Sequence, residues 1–138
     1  MPLHTDQDIA SLLQHAHTIA MIGASDRPDR ASNGVMRFLQ THGYKVIPVN
    51  PALTGRSVNG ETAVASLNDI HEPIDIVDIF RNPDDAGDAV DDAIAAHAGA
   101  VWLQLGVINE SAAARAEAAG VKVVMDRCPK IEFGRLDL

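Results

Sequence analysis

The chain has 138 residues, 46% of them hydrophobic, which is enough for one buried core and leaves too little for a second, catalytic domain. A formal net charge of −8 argues against a nucleic-acid surface, which needs clustered Lys and Arg. No apolar run reaches the roughly 20 residues of a membrane helix. The single cysteine allows no internal disulfide, and the opening MPLHTDQD lacks the basic start and apolar centre of a signal peptide. One cytoplasmic domain spanning 1–138 is expected. Its charge is uneven: residues 18–62 hold five basic and three acidic residues, whereas residues 66–99 hold nine acidic residues and only Arg81. Cations therefore gather in the first half.

In chain order, His4 to His17 reads as a helix that packs on the rest of the domain, with Thr5 as N-cap, Asp8 three residues on, and Ile9, Leu12, Leu13 and Ala16 on one face. His15 and His17 point to different faces of such a helix, so no metal site is expected. Thr18 to Ile22 is a buried strand that runs into Gly23-Ala-Ser25, then a polar loop, then a helix with Val35, Met36, Phe38 and Leu39 on one face. Gly43 ends that helix, and Lys45 to Val49 makes a second strand that exits at Asn50-Pro51. A thin edge strand is expected around Ser57 and Val58, with a brief helical piece from Glu61 to Leu67. Ile74 to Phe80 is the fourth strand, interrupted by Asp75 and Asp78; near the strand exit, Asp78 is expected to accept backbone N–H bonds from a neighbouring loop. Asn82 caps and Pro83 starts the next helix, which stops at Gly99. Ala100 to Gln104, a helix from Glu110 to Ala119 capped by Asn109, and Val121 to Met125 follow, with a short polar tail after Asp126.

Alternating strands and helices imply an α/β, Rossmann-like three-layer domain with a mostly parallel sheet, right-handed crossovers and strand order 3-2-1-4-5-6. Strands one and four then flank the switch point where ligands bind in open α/β sheets. Three loops are expected to converge there: Gly23-Ala24-Ser25, Asn50-Pro51 and Phe80-Arg81-Asn82. They would bring main-chain donors, two helix N-termini and a guanidinium suited to phosphate. Asn50 stands where a dinucleotide-binding domain usually carries an acidic residue for the ribose, and the first turn lacks the full Gly-x-Gly-x-x-Gly pattern, so NAD(P) is demoted to an alternative. No histidine falls at a strand end, and no catalytic constellation is evident.

Five segments together resemble a known family: Ile22-Gly-Ala-Ser25, Gly43-Tyr-Lys-Val-Ile-Pro-Val-Asn-Pro51, Ile76-Val-Asp-Ile-Phe-Arg81, Val101-Trp-Leu-Gln-Leu-Gly106 and Val124-Met-Asp-Arg-Cys128. The family is the small stand-alone CoA-binding domain proteins, similar to the N-terminal CoA-binding domain of the succinyl-CoA synthetase α subunit. The resemblance implies a domain that holds the ADP portion of coenzyme A. In it Gly23, Ala24 and Ser25 would approach the phosphates and Arg27 would pair with one. Val49, Asn50 and Pro51 would shape the nucleotide wall, with Phe80, Arg81 and Asn82 opposite. It implies a binding or sensor module for CoA or acyl-CoA, possible partners being another protein or a second copy, with NAD(P)-linked oxidoreduction or redox regulation as the alternative. Cys128 leaves a strand on the same edge. It serves either as a small hydrophobe or, with Arg127 favouring its thiolate, as a thiol that meets the CoA thiol in a mixed disulfide.

Overall fold

A computed structural model describes all residues Met1–Leu138. In chain order the elements are α1 (Asp6–His15), β1 (Thr18–Ile22), α2 (Ala31–Thr41), β2 (Lys45–Val49), β3 (Ser57–Val58), β4 (Glu61–Thr62), β5 (Ile76–Ile79), α3 (Pro83–Ala95), β6 (Ala100–Leu103), α4 (Glu110–Ala118), β7 (Lys122–Val124) and α5 (Pro129–Arg135). Each of the four longer helices starts at a residue in extended conformation, and three of those residues cap with their own side chains. Thr5 Oγ1 accepts from Asp8 N at 3.2 Å, Asn82 Oδ1 from Asp85 N at 2.9 Å and Asn109 Oδ1 from Ala112 N at 3.0 Å.

Five strands form one parallel sheet in the order β2-β1-β5-β6-β7. Residues alternate between its faces, and both faces are apolar, as a sheet covered on both sides requires. Ala20, Ile22, Val77, Ile79, Val101 and Leu103 pack under α3 and α4. Ile19, Met21, Ile76, Trp102 and Val124 pack under α1, α2 and α5. The result is a Rossmann-like α/β domain of three layers.

The expected strand order needs a correction. Ser57–Val58 does not extend the sheet beyond β2; it pairs antiparallel with Glu61–Thr62 in a separate two-stranded ribbon. The cause is the Asn59-Gly60 pair, both at positive φ (49° and 86°), which makes a two-residue hairpin turn and leaves no helix at Glu61. What touches the free edge of β2 is a single parallel bridge from Val64 to Val49. The helical turn expected before Leu67 begins there instead, at Leu67–Asp69.

The polar tail is also corrected, since residues 129–135 are helical. Pro129 supplies the first helical position, and Phe133 packs edge-on against Tyr44 and Phe38. Glu132, 4% exposed, anchors the helix: Arg127 donates to its Oε1 at 2.6 Å and Arg135 to both its oxygens at 2.9 and 3.1 Å. Arg135 and Arg127 hold its carboxyl below the ordinary carboxylate range. A lowered folded pKa means stability that is complete above the unfolded value and is lost as pH falls through the folded one. Glu132→Gln is therefore expected to cost about 1–2 kcal/mol in urea unfolding at pH 7, less than a fully buried pair because both guanidiniums reach solvent. The difference from wild type should shrink as acid protonates the native carboxyl; a constant difference across pH would contradict this role.

Candidate functional site

Running β1 into β2 on one side and later into β5 on the other makes the β1/β5 boundary the switch point of this sheet. The carboxyl ends of the three strands stay in register past their last residues. Gly23 N donates to Val49 O at 3.1 Å and Phe80 N to Ile22 O at 2.8 Å. Gly23 has φ +84°, and a Cβ placed on it would lie 2.2 Å from the Phe80 carbonyl oxygen. Glycine is thus required first by the approach of two loops within the chain.

Asn50 closes the third side. Its Nδ2 donates to Ala24 O at 2.8 Å, and its Oδ1 accepts from Ala52 N at 2.9 Å. Both ends of this amide are engaged, one holding the glycine turn and the other capping the turn at Pro51–Leu53. A second amide supports the turn from below: Asn33, 1% exposed, donates to Ser25 O at 2.8 Å and accepts from Arg37 at 2.8 Å. Asn33 is not among the residues expected at the site. Its signal was a polar pair, Ser32-Asn33, on the face of α2 that otherwise buries Val35, Met36 and Leu39.

These loops enclose two hollows that share Ala31 and Phe80. One, about 390 Å³, is polar, with Gly23, Ala24, Ser25, Asn50, Arg27, Arg30 and Ser32 in its wall. The other, about 470 Å³, is mostly apolar and lies over the ends of β5, β6 and β7, where Phe80, Arg81, Asn82, Gln104, Leu105 and Cys128 meet α2 and Ile131. Val49 and Pro51 line neither hollow; Val49 is 4% exposed and serves the sheet ladder. Hollows also open at the amino-terminal edge, one of about 400 Å³ beside His17, Tyr44 and Phe133 and one of about 480 Å³ beside Asp75 and Lys122. Neither reaches the glycine turn. In the first of them burial pushes the Tyr44 phenol up to about 12, and its O–H donates to the Leu13 carbonyl.

Charge separates the two edges further. Lys45 pairs with Glu72 at 2.8 Å and Arg56 with Asp26 at 3.3 Å, while Arg27, Arg30 and Arg81 have no ion-pair partner in the chain. The free N–H groups at the start of α2 open beside Arg27 and Arg30, and no acidic residue sits in that first turn. The expectation of a second anion-accepting N-terminus at α3 is corrected. Asp84 and Asp85 occupy its first turn, and Asn82 both caps Asp85 N and donates to the Asp85 carboxylate at 2.9 Å. The Ser25 Oγ accepts from Arg27 N at 3.1 Å, which leaves its own hydrogen free to donate.

Two further residues behave differently from expectation. Asp78 takes no backbone N–H bonds: it is 1% exposed on the face under α1, α2 and α5, level with Met21 and Trp102, and neither oxygen has a partner. Burial pushes its carboxyl well above the ordinary range. Arg127 does not turn to Cys128, because its guanidinium is held by Glu132 and its carbonyl accepts from Trp102 Nε1 at 2.8 Å.

Fold and switch-point geometry place the molecule in the Rossmann-like class of single α/β domains. Residues 17–134 match the CoA binding domain family, and the chain belongs to that family. It is 39% identical to YneT of Bacillus subtilis (strain 168) over 124 residues, 90% of each chain. Among solved structures it is similar to the Thermus thermophilus protein ID.343, at 42% identity and TM-score 0.92 over 96% of this chain and 99% of that one. A Pyrococcus horikoshii OT3 protein is similar at 38% identity and TM-score 0.92 over 100% and 97%. The fold alone is shared with a dinucleotide forming acetyl-coenzyme A synthetase 1 of Ca. Korarchaeum cryptofilum, at 23% identity and TM-score 0.70, covering 79% of this chain and 25% of that one. No helix is long and apolar enough to cross a membrane.

Proposed function

We propose that this protein binds coenzyme A or an acyl-CoA through the ADP portion and acts as a binding or sensor module. The observation that carries the reading is the polar hollow at the switch point, where a tight glycine turn, the uncapped start of α2 and arginines without carboxylate partners face one space. Pyrophosphate oxygens suit those donors. Main-chain N–H groups of Ala24 to Asp26 and of the first α2 turn would receive them, with Ser25 Oγ–H as a further donor and the Arg27 and Arg30 guanidiniums countering the charge. Arg81 lines the neighbouring hollow on the other side of Phe80 and would extend toward the same anion from there. Asn50 keeps the turn in place, and since its amide is already engaged, it is not a ribose-binding carboxylate in another guise. This favours a nucleotide recognised by its phosphates over NAD(P).

Thermal unfolding with added nucleotide tests the proposal. CoA at a hundredfold excess over its Kd is expected to add about 2.7 kcal/mol of stability, with NAD far less effective at equal concentration. Arg81→Ala is expected to weaken CoA binding by about 10- to 100-fold through one lost charge-assisted hydrogen bond while leaving the ligand-free melting temperature within a degree or two of wild type. Equal stabilisation by NAD, or an unchanged CoA affinity in Arg81→Ala, would contradict the assignment.

A further inference from the structure

The apolar hollow next to the nucleotide turn contains two features that packing does not explain. Gln104, at the end of β6, is 8% exposed, and its Oε1 is buried without a hydrogen-bond partner. An orphaned acceptor in an apolar wall is costly unless something supplies an N–H. The only sulfhydryl of the chain, Cys128, half-buried at the end of β7, lies in the same wall. Leu105 and Ile131, 61% and 54% exposed, stand at its rim, so an apolar arm entering from the polar hollow past Phe80 would cover surface now open to water.

We propose that this hollow receives the thiol-bearing arm of CoA, that Gln104 Oε1 accepts an amide N–H from the arm, and that Cys128 forms a reversible mixed disulfide with its thiol. The proposal rests on the CoA reading above and adds a chemical step to it. The arm of CoA is a chain of two amides ending in a thiol, which matches one buried acceptor and one cysteine in a largely apolar groove. The oxidant is a disulfide of CoA itself. The Cys128 thiolate attacks one sulfur of CoA disulfide, a bond forms between Sγ and that sulfur, and the original sulfur–sulfur bond breaks. The departing CoA leaves as a thiolate and takes up the proton that Cys128 released, so Cys128 is oxidised and one CoA is reduced. Any thiol reductant reverses the exchange. With Arg127 engaged by Glu132, selectivity comes from seating the reagent and not from that guanidinium.

Intact-mass analysis under non-reducing conditions reads the adduct directly, and with one cysteine present every disulfide adduct reports on Cys128. CoA disulfide is expected to add a single CoA, removed by dithiothreitol. Glutathione disulfide at the same concentration should react at least about tenfold more slowly, because it lacks the nucleotide. Adenosine 3′,5′-bisphosphate should slow the CoA reaction and leave the glutathione reaction unchanged. Gln104→Leu, apolar and close in size, should retain the fold and slow adduct formation by about 3- to 10-fold, the worth of one neutral hydrogen bond. Equal rates with both disulfides and no protection by the bisphosphate would overturn the proposal and leave Cys128 an ordinary accessible thiol. No adduct in a protein whose melting temperature CoA raises would overturn the thiol chemistry alone. No rise in melting temperature with CoA would remove the parent reading, and this one with it.

Discussion

Asp78→Asn is expected to stabilise the protein by about 1–3 kcal/mol at pH 7 and to flatten its dependence on pH. The wild-type side chain is enclosed on a sheet face between Met21 and Trp102, and neither of its oxygens has a partner. Burial alone raises its pKa, since no charge or hydrogen bond offsets the loss of water. For a carboxyl raised on folding, the contribution is complete below the unfolded value, near 4, and is lost as pH rises from there through the folded value. Wild-type stability should therefore decline on going from pH 5 toward neutrality, by about 1.4 kcal/mol per pH unit at most for this one group. The amide has the same shape and no proton to lose, so the variant should be level over that range. It keeps a polar group without partners, which limits the gain to part of what the buried carboxyl costs. Urea unfolding of both proteins between pH 5 and pH 8 measures this, with equal m-values required for the comparison. A variant less stable than wild type at pH 7 would mean that the carboxyl has a partner in solution.

Gly23→Ala is expected to lower stability by about 2–4 kcal/mol and to abolish the rise in melting temperature with CoA. A methyl group at φ +84° costs on the order of 1–3 kcal/mol in backbone strain. Its contact at 2.2 Å with the Phe80 carbonyl oxygen adds an overpacking cost of about 1 kcal/mol or more, because backbone must move. The movement parts the glycine turn from the loop that carries Arg81. Gly43→Ala separates the two costs: φ there is +90°, yet nothing lies within 4 Å of the added methyl. That substitution should show the strain without the clash and leave CoA binding intact, as Gly43 lies at the other edge of the sheet. Equal losses of stability at the two sites would refute the close approach of Gly23 and Phe80.

What could be read from the residues divides along the range of the forces involved. Strands β1, β2, β5, β6 and β7 were legible because buried parallel strands are short apolar runs between turn residues, and the caps at Thr5, Asn82 and Asn109 are local chemistry. The convergence of Gly23, Asn50 and Phe80 followed from alternation alone, since an α/β sheet brings strand ends to one edge. The hairpin at Asn59-Gly60 was legible in principle and was outweighed by reading Glu61 to Leu67 as helical. α5 was missed because seven residues carry too little periodicity, and its anchor, Glu132, depends on Arg127 and on Arg135, which also reaches Asp6 at the far end of the chain. Asp78 and Asn33 were opaque for a related reason. Whether a polar side chain on a buried face is satisfied depends on neighbours brought by other elements: Asn33 finds Ser25 and Asn59, and Asp78 finds none.

Hydrogen–deuterium exchange with and without CoA tests the central claim most directly, because it reads ligand and location together. Slowed exchange is predicted in three separated segments, 23–33, 49–52 and 80–82, with the amino-terminal edge around His17, Tyr44 and Asp75 unchanged. Protection confined to that opposite edge, or none at saturating CoA, would contradict a phosphate-binding cleft at the carboxyl ends of β1, β2 and β5.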